Sequence, residues 1–356
     1  MSPFDRTVYF IGAGATRADF PDAPLGEGLL HKVLASDTSP KSLSAFLARI
    51  YEPASITPNA PEHDRPRLDD VLTLLETAIN KRAPLPSDLS YEEVVECHRL
   101  LLAGIGKTLE SALGTVSGSR AGRLADHLLE SSATIITTNY DIVFDNVLFD
   151  RHNVNYGVPV RSAVWRVNGH PADREDEARH YVYDVSHSLR ILSGRLPLLK
   201  LNGSLNWLYC PRCDELDVSF HEKAGVAILT EPHLGRCAHG GCTARYQALL
   251  VGPSLEQRYD NRILAEVWSR AERAVAQAER IVLIGYSLPG ADYLIRAMLT
   301  RHFAKRGHAV FVFTSRSPEG RSADEDFTLR YQRLFPNCTI DWGAFDAHIE
   351  SLVRQK

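Results

Sequence analysis

The sequence predicts an α/β protein built on a mostly parallel, Rossmann-like sheet, and two observations favour this fold. Short β-branched and apolar runs recur along the 356-residue chain, and stretches with helical periodicity separate them. Strands and helices that alternate in this way form a largely parallel sheet. Small or polar residues follow several of the apolar runs, and in an open parallel sheet ligands bind beyond the carboxyl ends of the strands.

The first element is the apolar run Thr7–Ile11, which predicts a buried parallel strand. It ends at a glycine pair, Gly12 and Gly14, and a helix is predicted to follow. Glycine lets the backbone turn sharply and lets a ligand approach closely, and a strand–turn–helix unit directs N–H groups toward a phosphate. The motif alone leaves an ordinary tight turn open, because Arg17 stands where a dinucleotide fingerprint has its third glycine.

Helices dominate the next part of the chain. A short helix is predicted over 28–34, and residues 37–130 are predicted to be mainly helical. Their amphipathic stretches are 42–51, 67–82 and 91–113, and a proline-rich loop occupies 53–66. We interpret 37–130 as a helical insertion into the α/β core, and a separate helical domain is the alternative that the sequence leaves open.

The core is predicted to resume at residue 131. Its strands are predicted at 133–137, 197–201, 248–252, 280–284 and 309–313, with helices at 259–278 and 291–306. Residues 150–195 are predicted to be irregular, and the mixed charges of Asp173–Arg179 indicate a solvated loop. The predicted organisation is core at 1–36, insertion at 37–130, core at 131–207, a small cysteine-bearing module at 208–247 and core at 248–356.

Composition excludes several classes of partner. The chain has 40 basic and 44 acidic residues, a net charge of −4 that gives no general attraction to nucleic acid or anionic membranes. No apolar stretch reaches the ~20 residues of a membrane helix, and the N-terminus lacks a signal-peptide pattern. We therefore expect a cytoplasmic protein without direct nucleic acid or membrane binding. Six cysteines in so long a chain favour metal binding or free thiols over a disulfide scaffold.

Four predicted strands end in small or polar residues. These ends are 12–14, 138–141, 202–204 and 285–287. Each alone is compatible with an ordinary turn, but four together favour one shared cleft. Glycines make room in such a cleft, and its hydroxyls, amides and carboxylate suit a ribose and a carboxamide.

These strand ends resemble the motifs of the SIR2 (sirtuin-like) family. The family's Gly-Ala-Gly-x-Ser/Thr loop is matched by Gly12–Thr16, and its Thr-x-Asn-x-Asp motif by Thr137–Asp141. Its His-Gly-Ser motif corresponds to Asn202–Ser204, and its Gly-x-Ser loop to Gly285–Ser287. The order and spacing agree over most of the chain. The flanking residues resemble bacterial SIR2-like proteins, several of which hydrolyse NAD in anti-phage defence, more than histone-type sirtuins.

The resemblance implies a role for each matched residue. The pyrophosphate of NAD would be held by Gly12, Ala13, Gly14, Ala15 and Thr16. Asn139 would contact the nicotinamide-side ribose and position a water, and Asp141 would support that loop. Asp22 would lie near the carboxamide, and Ser287 would meet the adenosine side. The candidate NAD contacts are completed by Thr138, Ser204, Gly285, Tyr286 and Asp292, and the catalytic candidates are Asn139, Asp141 and Asn202.

The activity that the resemblance implies is hydrolysis of NAD to nicotinamide and ADP-ribose, or to a cyclic product. Asn202 stands at the family's histidine position, and an amide cannot take up a proton near neutral pH, so we expect weakened or abolished turnover. Two alternatives stay open: an NAD-dependent protein deacylase, and an NAD- or ADP-ribose-binding subunit without turnover. The deacylase is disfavoured because Ala23 and Pro24 follow Asp22, where deacylating sirtuins have other residues. By family analogy alone, a protein partner or homo-oligomer is expected to control activity.

Two cysteine pairs lie in one loop-rich segment. Two residues separate Cys210 from Cys213, and four separate Cys237 from Cys242. Four thiolates suit a closed, tetrahedral, structural zinc site, and the resemblance places a zinc module at this point of the chain. His233 and His239 are alternative ligands, and free cysteines in a loop are the other interpretation. Buried thiols are expected at Cys97 and Cys338, and packing roles at Trp207 and Tyr209.

Overall fold

The computed structural model describes residues 6–36, 41–57, 60–61, 64–83, 85, 89–113, 119–131, 133–162, 164–168, 180–184, 194–220, 223–232, 235–237, 239–303, 309–314, 321–343 and 345–354. The strands are β1 (Thr7–Ile11), β2 (Thr134–Thr137), β3 (Arg161–Ser162), β4 (Val164–Asn168), β5 (His180–Asp184), β6 (Leu198–Lys200), β7 (Gly203–Cys210), β8 (Glu215–Val218), β9 (Gln247–Leu250), β10 (Arg280–Ile284), β11 (Ala309–Phe313) and β12 (Thr339–Asp341). The helices are α1 (Ala13–Asp19), α2 (Gly26–Ala35), α3 (Lys41–Leu47), α4 (Leu68–Lys81), α5 (Tyr91–Ala112), α6 (Ser119–Leu129), α7 (Val143–Asp150), α8 (Ala224–Thr230), α9 (Arg262–Gln277), α10 (Tyr293–His302), α11 (Arg321–Leu334) and α12 (Phe345–Arg354).

The central sheet has six parallel strands in the order β6-β2-β1-β10-β11-β12. Numbered along the chain, this is the 3-2-1-4-5-6 order of the Rossmann fold. The strand order reverses between β1 and β10, which pair from Thr7 with Arg280 to Ile11 with Ile284. All five residues of β1 are buried, as expected where helices cover both faces of a parallel sheet. The predicted α/β, Rossmann-like fold is confirmed.

Two groups of helices pack on this sheet. Helices α1, α7 and α12 each contact α6, and α9 contacts both β6 and α10. Leu124 and Leu128 of α6 and Val267 and Val275 of α9 are fully buried in the same apolar core as the strands. Helix α6 therefore belongs to the layer that covers the sheet, although it follows the other helices between β1 and β2.

Helices α2 to α5 form a second apolar core. Its fully buried members include Val33 of α2, Leu43 of α3, Leu72 of α4 and Leu101 of α5. Leu205 of β7 joins the same core, so these helices pack directly against the strand that leaves the carboxyl edge of the sheet. Burial of apolar side chains on several helices stabilises such a layer more than helix propensity does.

A smaller unit contains the cysteine pairs. It consists of the four-stranded sheet β3-β8-β7-β9 and helix α8. The segment was predicted to be loop-rich, but the structure gives it strands and a small core around Leu208, Ile228 and Tyr246. Two residues separate the end of β6 from the start of β7, which runs as far as Cys210, so β7 connects the main sheet to the cysteines.

The prediction that 150–195 is irregular is wrong. This region contains β3 and an antiparallel pair, β4 and β5, in which Val164 pairs with Asp184 and Asn168 with His180. The β-branched and aromatic residues of β4 and β5 favour strands. Strand β3 pairs with β8, more than 50 residues further along the chain, and no local pattern reveals such a partner. Asp173–Arg179 lies outside the described residues. Within the described ranges, no helix is long and apolar enough to cross a membrane.

Candidate functional site

The loops that follow β1 and β10 close against each other where the strand order reverses. The Gly12 N–H donates to the Ile284 carbonyl at 2.9 Å, and the Gly14 N–H donates to the Gly285 carbonyl at 2.9 Å. A Cβ added at Gly12 or Gly14 would lie 2.5 or 2.8 Å from the Gly285 oxygen. Gly285 itself has φ +60°, and its added Cβ would lie 2.2 Å from the Ala15 nitrogen. The missing side chains thus permit contact between two loops, and a phosphate beside Gly14 stays a prediction.

A hydrogen-bond network joins the β1 and β2 ends of the sheet. Asn139 Nδ2 donates to Thr16 Oγ1 at 3.1 Å, and the Thr16 hydroxyl donates to Asp141 Oδ2 at 2.8 Å. The other carboxylate oxygen of Asp141 accepts the Val143 N–H at 3.1 Å, and Thr137 Oγ1 accepts the Asn139 N–H at 3.0 Å. The structure therefore brings Thr16 together with Asn139 and Asp141, although 125 residues separate Thr16 from Asp141 in the sequence. The fixed amide of Asn139 presents its carbonyl oxygen as the remaining acceptor.

Lys200 supports this network from inside the protein, and sequence reasoning assigned it no role. Its Nζ donates to the main-chain oxygen of Asp141 at 2.5 Å and to Asp145 Oδ2 at 2.7 Å. The Tyr156 hydroxyl donates to Asp145 Oδ1 at 2.6 Å. The side chains of Lys200 and Asp145 are each 1% exposed. The sequence feature that could have indicated a role for Lys200 is the presence of a lysine at the end of an apolar strand.

Asn202, at the family's histidine position, is a buried and anchored residue. Its side chain is 3% exposed, and its Oδ1 accepts the Tyr259 hydroxyl at 2.8 Å. Its main-chain oxygen accepts the Val251 N–H at 3.0 Å. The next residue, Gly203, has φ +75°, and an added Cβ would lie 1.8 Å from the Leu249 oxygen. The amide is therefore held by Tyr259 in a backbone that tolerates little change.

Asp292 is a buried carboxyl group beside this site. The Tyr286 hydroxyl donates to Asp292 Oδ2 at 2.6 Å, and the Tyr331 hydroxyl donates to the Tyr286 main-chain oxygen at 2.6 Å. Burial raises the pKa of Asp292 to about 6, and the hydrogen bond from Tyr286 opposes this shift. Burial also raises the pKa of Tyr259, with the Asp292 charge as the next cause. Burial thus makes Asp292 easier to protonate than an ordinary aspartate, and its charge acts electrostatically on Tyr259.

Ser204 and Asp22 are predicted ligand contacts for which the structure shows hydrogen bonds within the protein. Ser204 is fully buried, and its hydroxyl donates to the Tyr140 main-chain oxygen at 3.4 Å. Asp22 is exposed, and its main-chain oxygen accepts Lys32 Nζ at 2.7 Å. Across the described ranges, no hydrogen bond connects the Asp22 side chain to Asn139. Contacts of both residues with a ligand stay predictions.

A ligand at this edge meets a small set of accessible residues. Ala13 is exposed, and Gly14, Thr138, Asn139 and Ser287 are half-buried. Among the other predicted NAD-contact and catalytic residues, Asp22 is exposed and Gly285 is half-buried, and the rest are buried. The arrangement separates groups that a ligand can touch from groups that hold them in place.

Two cavities lie away from this edge. One, of about 350 Å³, is at the amino-terminal edge of the sheet and is lined by Thr7, Thr134 and Arg270 among others. The other, of about 290 Å³, lies between α5 and α8 and includes Lys107 and Lys223. The candidate site is thus an edge of closely packed loops.

The four predicted metal ligands come together. All four Sγ atoms lie within 4.8 Å of one another, with 3.8 Å between Cys210 and Cys242 and 3.8 Å between Cys213 and Cys237. A zinc ion with Zn–S bonds of ~2.3 Å places its sulfurs about 3.8 Å apart in a tetrahedron. A disulfide would need about 2.05 Å. The sulfurs therefore fit a metal ion such as zinc.

The wide spacing of the second pair is explained by its turn. Gly240 and Gly241 have φ +55° and +78°, and the Cys242 N–H donates to the His239 carbonyl at 2.9 Å. Two left-handed glycines let the chain before Cys242 turn back tightly. His239 is exposed and lies outside the sulfur cluster, and His233 is outside the described residues.

A buried ion pair ties the cysteine-bearing module together. Arg161 donates to both oxygens of Asp217, at 2.5 Å from Nε and 2.8 Å from Nη2. The Tyr246 hydroxyl also donates to Asp217 Oδ2, at 2.5 Å. Sequence reasoning missed this cluster because its members come from segments that pair only in the folded chain.

Packing roles or burial were predicted for two aromatic residues and two cysteines outside the cluster. Trp207 is fully buried and lies edge-on to Tyr156, with ring centroids 5.2 Å apart, so its packing role is confirmed. Tyr209 is half-buried and donates to Asp214 at 2.9 Å. Cys97 is buried, and burial raises its pKa to about 12, whereas Cys338 is only half-buried.

Comparison with known proteins gives distant similarities. No family model matches the chain, and no curated protein matches it. A solved structure described as a Sir2 homologue–NAD complex is 14% identical, with 98% of this chain and 88% of that chain covered and a TM-score of 0.43. Another, described as "Structural Basis for the Mechanism and Regulation of Sir2 Enzymes", is 13% identical, with coverages of 99% and 92% and a TM-score of 0.43. A Sir2–p53 peptide–NAD complex is 10% identical, with coverages of 98% and 92% and a TM-score of 0.42.

All three descriptions name Sir2 proteins, the family whose motifs this sequence resembles. At identities of 14% or less and TM-scores below 0.5, functional assignment rests on the residues of this chain.

Proposed function

We propose that this chain binds NAD at the carboxyl edge of its sheet and hydrolyses the bond between nicotinamide and ribose. The observation that carries this proposal is the Thr16–Asn139–Asp141 network, which lies next to the point where the strand order reverses. Nucleotides bind at such points in open α/β sheets. The accessible amide, hydroxyl and main-chain groups at this edge suit a ribose and a pyrophosphate.

The residues of the network suit the chemistry of glycosidic cleavage. Loss of nicotinamide develops positive charge on the ribose, and catalysis requires groups that stabilise this charge and orient a water. We assign the Asn139 carbonyl oxygen to the ribose and the attacking water. Asp141 holds Asn139 through the Thr16 hydroxyl and places negative charge beneath the site.

The assignment of the cysteines is structural. Cys210, Cys213, Cys237 and Cys242 would hold a zinc ion that closes the module and leaves no open coordination position for substrate. Strand β7 connects Cys210 to Gly203, so an ordered module supports the backbone next to Asn202.

A second candidate function is NAD or ADP-ribose binding without turnover. Asn202 favours it, because an amide at the family's histidine position cannot accept a proton, and Tyr259 already occupies its Oδ1. Both functions use the same site. From the resemblance we also propose a cytoplasmic role in bacterial anti-phage defence, with a protein partner or homo-oligomer that controls activity.

The test measures nicotinamide release from NAD alone, with calorimetric binding of NAD and ADP-ribose. We expect binding of both ligands and slow release, with release abolished by Asn139→Ala. Asp22 is exposed, and the Asp22→Ala variant tests whether its predicted contact with the carboxamide of NAD matters for binding and release. Binding without release, with partners supplied, would select the binding subunit. Release only with an acyl-lysine peptide would select the deacylase, and the absence of binding and release would refute the site.

A further inference from the structure

We propose that Lys200 is a positioning residue that holds the 138–141 loop in the conformation needed for ligand binding. This inference rests on the proposed function, since it concerns the same site. Lys200 is the last residue of β6, and β6 pairs with β2, whose end gives rise to this loop. The lysine therefore lies beside the loop but away from its accessible face.

The ammonium group of Lys200 makes two contacts. Lys200 Nζ reaches the main-chain oxygen of Asp141 at 2.5 Å and Asp145 Oδ2 at 2.7 Å. Both ionic side chains are 1% exposed. A charge buried this deeply needs strong partners, and here one partner is the backbone of the candidate site.

The contact with Lys200 completes the set of hydrogen bonds that hold Asp141. The Asp141 carboxylate accepts from Thr16 on one oxygen and from the Val143 N–H on the other. With its main-chain oxygen also held by Lys200, the residue is fixed on both sides of its Cα. Because Asn139 donates to Thr16, the position of Asp141 determines where the Asn139 amide points.

Two roles of Lys200 can be separated: positioning of the Asp141 backbone and neutralisation of the Asp145 charge. A lysine needed only to balance Asp145 has no reason to contact a main-chain carbonyl. Asp145 is already hydrogen-bonded by Tyr156 at 2.6 Å, and neutral replacements of a buried ion pair are often tolerated. Removing the lysine and the aspartate charge together therefore isolates the backbone contact.

The experiment compares Lys200→Met, Asp145→Asn and the double variant. Lys200→Met leaves a buried carboxylate without its cation, so we expect the Tm to fall by roughly 5–10 °C. It should also weaken NAD or ADP-ribose binding about tenfold or more, the size expected for loss of one hydrogen bond to a charged group. In the double variant, most of the Tm should recover while affinity stays weak.

Asp145→Asn keeps the lysine and its contact with Asp141, and its amide oxygen can still accept the Tyr156 hydroxyl. We expect reduced stability with affinity near that of the native protein. The matched control is Arg161→Met with Asp217→Asn, a buried ion pair of the same kind in the module. Like the sheet-edge double variant, it should keep most of its Tm, but it should not weaken ligand binding.

Amide hydrogen exchange of the 138–145 segment provides a readout that needs no ligand. We expect faster exchange there in Lys200→Met and in the double variant, and native exchange in the module control. A double variant with native affinity and native exchange would overturn the proposal, as would Asp145→Asn if it lost as much affinity as Lys200→Met. If the native protein binds neither NAD nor ADP-ribose, the proposed function fails, and the exchange data alone decide the role of Lys200.

Discussion

Two regions of the molecule contain the same trio of buried side chains and use it differently. At the sheet edge, Asp145 accepts from Tyr156 and pairs with Lys200. In the module, Asp217 accepts from Tyr246 and pairs with Arg161. Each trio joins a tyrosine hydroxyl, a carboxylate and a cation, all largely removed from water.

The difference lies in the cation. The guanidinium of Arg161 donates through two nitrogens to both oxygens of Asp217, so it staples β3 to β8. The ammonium of Lys200 meets only one oxygen of Asp145 and has N–H groups left for the Asp141 carbonyl. The planar guanidinium of an arginine can donate to both oxygens of one carboxylate, whereas the ammonium of a lysine can donate to two separate partners. The comparison indicates that the module pair maintains structure and the sheet-edge pair shapes the site.

The largest expected effect is the loss of stability on removal of the metal, which should affect the module and spare the central sheet. Purified protein should contain close to one zinc per chain, and Cys210→Ser should lower zinc content and stability. Structural zinc contributes about 10–16 kcal/mol of apparent binding free energy in small zinc peptides, and that energy stabilises the fold. Hydrogen exchange should show loss of protection in β7, β8 and β9, with β1 and β2 retained.

Cys338→Ser is the matched control, because this thiol lies outside the cluster. Native stability in metal-free protein would remove the zinc module from this account. Equal loss of protection in the central sheet would show that the two regions are one cooperative unit.

The next effect concerns the junction between the regions, at Asn202. Asn202→His introduces a group that can take up a proton, and general acid–base catalysis is typically worth ~10²–10⁴-fold in rate. A histidine nitrogen can also accept the Tyr259 hydroxyl that Asn202 Oδ1 now accepts. We expect nicotinamide release to rise by about that factor, with any activating partner present and with NAD affinity retained.

A histidine variant that binds NAD and releases no nicotinamide, with partners supplied, would contradict hydrolysis and support the binding subunit. Tyr259→Phe in the same background tests whether the hydroxyl orients the imidazole, and it should lower the rate without changing NAD affinity.

The parts of the site that the sequence predicted are those encoded by short motifs. Thr16, Asn139 and Asp141 follow apolar runs, and the order of parallel strands brings their ends together. The parts that it missed depend on side chains from distant segments. Lys200 and Tyr156 meet through Asp145, and nothing near any of these residues in the sequence indicates the other two.

The fold follows the same division. Five of the six strands of the central sheet were predicted almost residue by residue, because buried parallel strands are continuous apolar runs. The sixth, β12, was not predicted, and the run predicted as a core strand at 248–252 forms β9 of the module sheet instead. Strand β3 and the pair β4–β5 were missed, since short strands depend on partners rather than on their own pattern. The prediction of what the glycines do was also incomplete. Gly12 and Gly14 face the Gly285 loop, and only the folded chain reveals that contact.

A third buried aspartate, Asp292, has a tyrosine donor, and the only cation whose charge acts on it among the described residues is Arg296, without a direct ion pair. Asp292 accepts from Tyr286, and it forms no ion pair with any described residue. Burial raises its pKa to about 6, from an ordinary value of 3.8. The folded protein therefore binds the proton more tightly than the unfolded chain, and this stabilisation is complete below pH ~4 and is lost as pH rises through about 6.

Asp292→Asn should remove this dependence. A shift of about two pKa units corresponds to roughly 3 kcal/mol, so the variant should gain up to that much stability over the native protein between pH 4 and pH 7. Urea unfolding at several pH values measures the difference. A difference between the two proteins that does not change with pH would contradict a buried, titrating Asp292.

The smallest expected effect comes from the two tyrosines of the trios. Tyr156→Phe and Tyr246→Phe each remove one hydrogen bond to a buried carboxylate, and we expect each to lower the free energy of unfolding by about 1.5–3 kcal/mol. The Tyr156 hydroxyl donates to Asp145 and the Tyr246 hydroxyl to Asp217, and neither aspartate belongs to the 138–141 loop, so ligand affinity should stay native in both variants. Urea unfolding and calorimetry on the same samples measure the two quantities. A loss of affinity in Tyr156→Phe alone would mean that the loop depends on the whole sheet-edge trio rather than on the ammonium contact. A loss in both would mean that the module also shapes the site, and the distinction between the two regions would no longer hold.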